Sequence, residues 1–333
     1  MVTKATVIGT GAMGTVAAQV LAHNNVHVAL LGRRSEQVDD LLVHRENRRY
    51  LRGIKLSDRI VPTLDASRAL ANAELVVSSI PCQHLRGVWE QLGSAVEPDV
   101  PICSVTKGIE TETLERPTQI IAEFAANHPL AVLSGPSIAP EVARCLPATV
   151  VVACADASVA RTIQGVMSTS WFRIYTNPDV LGVELAGALK NVIALAAGIL
   201  DGLKAGDNAK SALLTRGLVE ITRLGTSMGA RPQTFVGLAG VGDLVTTCFS
   251  PMGRNRSAGE RIGFGVDVET VLSSGASVIE GIPTTRAVLE LARAHKVEMP
   301  ITQAVYDVLF DGKSPLDAIT DLMNRPPRGE GPD

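Results

Sequence analysis

The sequence predicts an α/β fold, a doubly wound and mostly parallel sheet followed by an all-α C-terminal half. Three observations predict it. Residues 5–9 read as a buried strand that runs straight into Gly9-Thr-Gly11-Ala-Met-Gly14 and then into a helical stretch. Apolar runs at residues 75–80, 101–105, 131–133, 149–153 and 173–175 alternate with helical stretches, the pattern of a parallel sheet with helices on both faces. Beyond Asn177-Pro178 the β pattern stops, and only helical stretches separated by Gly and Pro continue to Asn324. A domain boundary is therefore expected at 178, giving one domain over 1–178, a second over 179–324, and a disordered Pro- and Gly-rich tail at 325–333.

Composition narrows the function classes. Apolar residues at 46% and charged residues at 20% suit a globular chain, and a formal charge of −3 gives no general attraction to nucleic acid or anionic membrane. The five cysteines are scattered and show no metal-ligand spacing, so they read as reduced thiols and no metal is expected. The first strand follows Met1 too closely to leave room for a signal peptide, and the longest apolar run, around Val192 to Leu200, is too short for a bilayer. A cytoplasmic protein without membrane insertion is expected.

The glycine turn gains meaning from its context. A second strand at 27–31 completes a βαβ unit, so the turn stands where a dinucleotide-binding, Rossmann-like domain requires it. Gly9 permits the tight turn, Gly11 lets a pyrophosphate approach the backbone, and Gly14 lets helix and strand pack closely. At the end of that second strand an acid would bind the ribose of NAD, whereas this chain has Gly32-Arg33-Arg34. The arginine pair favours NADP over NAD, or is simply two solvated arginines opening a helix. The basic run at 44–52, with Arg45, Arg48, Arg49 and Arg52, reads as a solvated face or loop without function.

Ligands of such sheets bind beyond the carboxyl ends of the strands, and three segments there carry chemistry: Ser79-Ile-Pro81, Thr106-Lys107-Gly108 and Ser134-Gly-Pro-Ser137. Lys107 can reach an anion or a carbonyl oxygen, or be a surface lysine in a turn. Gly135 and Ser137 can present amides to a phosphate, or Ser137 can simply cap a helix. In the second half, Gly240-Val-Gly242-Asp243-Leu-Val-Thr246-Thr247 and Gly253-Arg254-Asn255-Arg256 are polar islands in apolar surroundings. Asp243 could also be a helix cap and Arg254 a surface arginine.

The stretch 184–201 is apolar around nearly its whole circumference, as a helix packed on all sides must be, and it carries Lys190 in its middle. Neighbours along its face are Val183, Ala186, Gly187, Ile193, Ala194 and Ala197, mostly small. A lysine buried there either reaches water, pairs with Glu184 or a distant carboxylate, or loses its proton readily and acts as a general base.

These motifs, with Asn208-Ala209-Lys210, Val278-Ile-Glu-Gly281 and Glu298-Met-Pro-Ile301, resemble in order the bacterial type of NAD(P)-dependent glycerol-3-phosphate dehydrogenase, from Val7 to about Phe310. The resemblance implies reduction of dihydroxyacetone phosphate to sn-glycerol 3-phosphate, a phospholipid precursor. It implies Lys190 as proton donor and acceptor, with Lys107 and Asp243 beside it at the reacting carbonyl. Gly135, Ser137, Gly253, Arg254 and Asn255 would contact the substrate, chiefly its phosphate. Ala12, Met13, Arg33, Lys107, Ala139, Arg254, Val278 and Glu280 would line the cofactor. The chain departs from the family pattern at Ala12 and Met13, where a serine and an aromatic are common, at Ile138 for Phe, at Gly253 for Ser, and at Ile282-Pro283.

Two rivals remain at the level of sequence. Another two-domain reductase acting on a β-hydroxy acid or ketoacid would use Arg254 on a carboxylate, and a nicotinamide sensor without catalysis would need no buried lysine. The apolar second half further suggests a homodimer.

Overall fold

The computed structural model describes residues 2–273, 278–327 and 329. Strands β1 (Lys4–Ile8), β2 (His27–Leu31), β3 (Glu46–Asn47), β4 (Leu51–Lys55), β5 (Ile60–Thr63), β6 (Leu75–Ser78), β7 (Ile102–Ser104), β8 (Leu130–Ser134), β9 (Ala148–Cys154) and β10 (Phe172–Asn177) all precede residue 178. Eight of them form one sheet in the order β10-β9-β8-β7-β6-β1-β2-β5. Every neighbouring pair is parallel except β8 with β9. The chain therefore leaves β1 toward β2 and β5, then returns to place β6 on the other side of β1. That reversal opens the crevice in which ligands of such sheets bind, beyond the carboxyl ends of β1 and β6.

The sheet differs from the sequence reading in two places. Strand β5 is an edge strand containing Pro62, a residue that weakens any sequence argument for a strand but is tolerated at an edge, where no ladder partner needs its N–H. The basic run, expected to be a solvated face or loop, is mostly exposed as a solvated face is, but it belongs to the antiparallel hairpin β3–β4 rather than to a loop. Its strands bury only Asn47 and Leu51, so no apolar alternation announces them.

Helices α1 (Ala12–His23), α2 (Ser35–His44), α3 (Pro117–Phe124) and α4 (Ala139–Ala143) belong to the sheet half. From α5 (Val180–Gly202) onward the described residues form no strand, and α6 (Asp207–Ser227), α7 (Asp243–Phe249), α8 (Arg254–Gly263) and α9 (Gly281–Ala294) gather around α5. Asp179 starts α5 by accepting the Gly182 amide at 2.9 Å, and the same carboxylate takes the Arg231 amide and the Thr234 hydroxyl.

Helix α5 is buried without a break from Gly182 to Leu200, which its largely apolar surface requires. Its 23 residues, with a mean hydropathy of 1.7 over the richest window, make it long and apolar enough to cross a membrane, contrary to the sequence expectation. The helix begins before and ends after the run visible by eye. Here 94% of that window is covered by protein, so its hydropathy is that of a core helix. Against α8 it packs backbone to backbone: a Cβ on Gly198 would lie 1.9 Å from the Arg256 carbonyl oxygen, and one on Gly259 2.0 Å from that of Leu195. This contact fixes the start of α8, and with it Arg254 and Asn255, relative to Lys190.

The expected disorder at 325–333 falls partly on 328 and 330–333, outside the described residues. Arg325 itself pairs with Glu298 at 3.3 Å.

Candidate active site

The glycine turn is built as its spacing implies. Gly9 has φ +112, and its own Cβ would meet the Ser79 carbonyl oxygen at 2.4 Å, while one on Gly14 would meet the Gly9 carbonyl oxygen at 2.0 Å. Side chains are thus excluded where β1, β6 and α1 converge. Around Gly11, which precedes the first turn of α1, a Cβ would meet nothing within 4 Å. Unpaired amides of the helix start therefore face open space of the kind a pyrophosphate fills. Ala12 and Met13 form the first turn itself, and Ala139, at the start of α4, lies on an element packed against α1. Arg33 is exposed at the end of β2.

Lys107, Lys190 and Asp243 come together from three elements far apart in sequence. Lys107 follows β7, Lys190 sits in the middle of α5, and Asp243 is the first residue of α7. The Asp243 carboxylate lies 2.5 Å from the Lys107 ammonium and 3.1 Å from that of Lys190. Lys190 also donates to the Thr247 hydroxyl, which in turn donates to Asp243 at 3.2 Å. Thr247 lies one turn beyond Asp243, so its role could have been read from helical spacing once the aspartate was placed. Asp243 caps nothing: its side chain serves the two lysines rather than the amides of its helix.

Burial decides the electrostatics of this cluster. Lys190 and Asp243 are 5% and 3% exposed, whereas the Lys107 side chain retains 23% and opens to the cleft. Burial pulls the Lys190 amine from 10.5 down to about 8, opposed by Asp243 and reinforced by the charge of Lys107. One carboxylate thus balances two amines, and the more buried amine gives up its proton at about pH 8 rather than 10.5.

Gly135 and Ser137 border the same cluster. The Gly135 carbonyl oxygen accepts from Lys107 at 3.3 Å and from the Ser137 hydroxyl at 3.0 Å. Gly187, one turn before Lys190, lets this loop close on α5, since its Cβ would stand 2.8 Å from the Ser134 hydroxyl.

A second cluster adjoins the first. The Arg254 guanidinium, exposed, donates to the Val278 carbonyl oxygen at 3.1 Å. Asn255, expected to contact substrate, has its oxygen engaged by the Gly281 amide at 2.9 Å, leaving only its NH₂ for a ligand. Gly253 contributes no side chain, and its Cβ would meet the Thr247 carbonyl oxygen at 2.8 Å. Glu280 accepts from the Cys82 amide at 3.3 Å through one oxygen, and its other oxygen is buried with no partner among the described residues. Burial raises its carboxyl from 4.5 to about 7, countered by the Cys82 amide and Arg254. Glu280 also stands beside Gly108, next to Lys107. An unpartnered buried oxygen at this point fits a group that donates to it, and a carboxamide is such a group.

Comparison with known proteins settles the lineage. The chain matches the family described as NAD-dependent glycerol-3-phosphate dehydrogenase, its N-terminus over residues 4–160 and its C-terminus over residues 179–320. The chain belongs to this family. Over 98% of both chains it is 46% identical to a glycerol-3-phosphate dehydrogenase [NAD(P)+] of Streptomyces griseus. Over 96% of its length and 94% of the relative it is 48% identical to the enzyme so named in Geobacillus kaustophilus. Among solved structures it is similar to glycerol-3-phosphate dehydrogenase from Coxiella burnetii, with a TM-score of 0.94, 34% identity, and coverage of 97% of this chain and 99% of that one.

Proposed function

We propose that the chain forms two domains, 1–178 for the cofactor and 179–324 for the substrate, meeting at Lys107, Lys190 and Asp243. It is an oxidoreductase that uses NAD(P)H to reduce dihydroxyacetone phosphate to sn-glycerol 3-phosphate. The observation that carries the mechanism is the pair of amines sharing one buried carboxylate.

A nicotinamide bound along the glycine turn supplies the hydride. Lys107, open to the cleft, polarises the substrate carbonyl and holds its oxygen. Lys190 delivers a proton to that oxygen as negative charge develops, and its lowered pKa lets it take the proton back in the reverse direction. Asp243 and the Thr247 hydroxyl hold the Lys190 amine in place through both protonation states. The substrate's phosphate falls to Arg254, whose fork of donors matches it, and to the Asn255 NH₂ and the loop Gly135 to Ser137. Arg33 and Arg34 favour NADP. Exposed Leu316 and Met323 on the helical half support a homodimer, and a cytoplasmic enzyme feeding phospholipid synthesis fits the whole.

The test is to mix the protein with NADPH and dihydroxyacetone phosphate and follow nicotinamide absorbance, then repeat with ketoacids and with unphosphorylated dihydroxyacetone. Turnover of the phosphate ester far above the others is expected. Preference for a ketoacid would favour the rival reductase, and cofactor binding without turnover a sensor. Arg254→Ala should cost the phosphate ester about 2–5 kcal/mol in kcat/KM while barely affecting dihydroxyacetone.

A further inference from the structure

The hairpin β3–β4 is pinned to the cofactor turn rather than free in solvent. Asn47, 1% exposed, donates from its NH₂ to the Thr10 carbonyl oxygen at 2.9 Å and to the Thr15 hydroxyl at 2.7 Å. Gln37 of α2 donates to the same Thr10 oxygen at 2.8 Å. Two polar side chains from different elements thus converge on the residue between Gly9 and Gly11. The next two residues of the hairpin, Arg48 and Arg49, line a cavity of about 350 Å³ together with Arg34, Glu36, Gln37, Asp40 and Asn47. Arg34 is the residue directly before α2, in the short turn that follows β2.

Three guanidiniums and two carboxylates line it, so one positive charge is in excess. Asp40 is held by Arg48. Arg49 is exposed, with its guanidinium 5.2 Å over the Tyr50 ring, so its fork keeps donors for a ligand. In a βαβ dinucleotide site the ribose that carries or lacks the 2′-phosphate lies over the end of the second strand, where this cavity opens.

We infer that this cavity seats the 2′-phosphate of NADP and that Arg49, delivered by the β3–β4 hairpin, determines cofactor specificity together with Arg34. The inference rests on the NADP preference proposed above and adds to it a residue from a segment that the sequence reading left without function. Arg48 acts indirectly, by neutralising Asp40 and so removing a charge that would repel the phosphate. The fork geometry matters as well as the charge: lysine at position 49 offers a point charge in place of paired donors.

Direct binding tests this without recourse to turnover. Titration calorimetry compares NADPH with NADH, and adenosine 2′,5′-bisphosphate with AMP, on the full-length protein, on Arg49→Gln and on Arg49→Lys. Wild type should bind the 2′-phosphorylated member of each pair more tightly. Arg49→Gln should weaken NADPH and the bisphosphate by about tenfold, with less than about twofold change for NADH and AMP, and Arg49→Lys should fall between. Equal weakening of both members, or no change in either, would overturn the assignment while leaving the NADP preference standing. A wild type that fails to distinguish the members would bring down the preference and this inference together. Position 49 is exposed, so the variants should fold, and an unchanged Tm confirms it.

Discussion

Glu184 and Lys190 lie on the same helix, are both buried, and are both pulled by burial from their usual protonation, yet their surroundings differ in kind. The Glu184 carboxyl, pushed up by burial, accepts the Thr118 amide at 2.8 Å, the Thr118 hydroxyl at 2.6 Å and the Arg116 guanidinium. One cation meets one anion and both oxygens are filled, so the group ties α5 to the start of α3 and has nothing left to offer a ligand. Around Lys190 two ammoniums share one carboxylate, and the second ammonium, Lys107, opens to the cleft. A shifted pKa therefore does not by itself mark an active site. What sets the surroundings of Lys190 apart is two ammoniums on one carboxylate, with Lys107 partly open.

The sharpest way to break the contrast is Lys190→Met, which keeps volume and removes the amine. Turnover should fall by roughly two to four orders of magnitude, with fold and NADPH binding retained by circular dichroism and fluorescence titration. A variant that keeps most of its turnover would make Lys190 as structural as Glu184.

Glu184→Ala should show the opposite profile. It strands Arg116 in a largely buried position, so the denaturation midpoint should report a loss of about 3–5 kcal/mol, while turnover per folded molecule changes far less. Unchanged stability would mean that the filled pair contributes nothing.

Glu280 combines features of both, being buried like Glu184 and unsaturated like Lys190. Its carboxyl titrates near 7 when folded against 4.5 otherwise, so the folded state holds the extra proton and stability is lost as pH rises from 4.5 through 7. Glu280→Gln keeps an acceptor for the Cys82 amide. In the absence of cofactor it should be more stable than wild type by about 2–3 kcal/mol above pH 7, and equal to it below 4.5. A Tm difference that does not vary with pH would refute this.

The smallest effect is the titration of Lys190 itself. With its pKa lowered from 10.5 to about 8, ketone reduction, which needs the ammonium, should decline as pH rises through about 8, and alcohol oxidation should gain. The folded state binds fewer protons than the unfolded one between about 8 and 10.5, so this group makes stability rise with pH across that window. That contribution should vanish in Lys190→Met. A reduction profile flat across pH 8 would assign the proton elsewhere.

Much of the fold was legible because its signals are local. The β1 strand, the glycine turn, the apolar surface of α5 and the end of β structure near residue 178 follow from side-chain periodicity and from where Gly and Pro stand. The edge strand β5 escaped because Pro62 argues against a strand unless its neighbours are known, and the β3–β4 hairpin escaped because its side chains are mostly exposed. Of the candidate site, the three charged residues were visible as residue types in unusual places. Thr247 was seen only as a hydroxyl in a motif, and the engagement of Asn255 by Gly281 was not visible at all.

The sequence by itself determined which groups are present: a lysine in a helix with no polar face, a carboxylate in a glycine-rich island, arginines where an acid would bind ribose. Tertiary structure decided which of them meet. Lys107 and Asp243 are 136 residues apart, and Lys190 and Thr247 are 57 apart. No local pattern encodes such separations, because each contact depends on a sheet, a buried helix and a glycine-lined helix crossing packing together. The same packing closed Glu184 into a filled pair and left Lys190 with a neighbour open to the cleft. Burial alone would have treated the two alike; the partners around each, and the open side of Lys107, distinguish them.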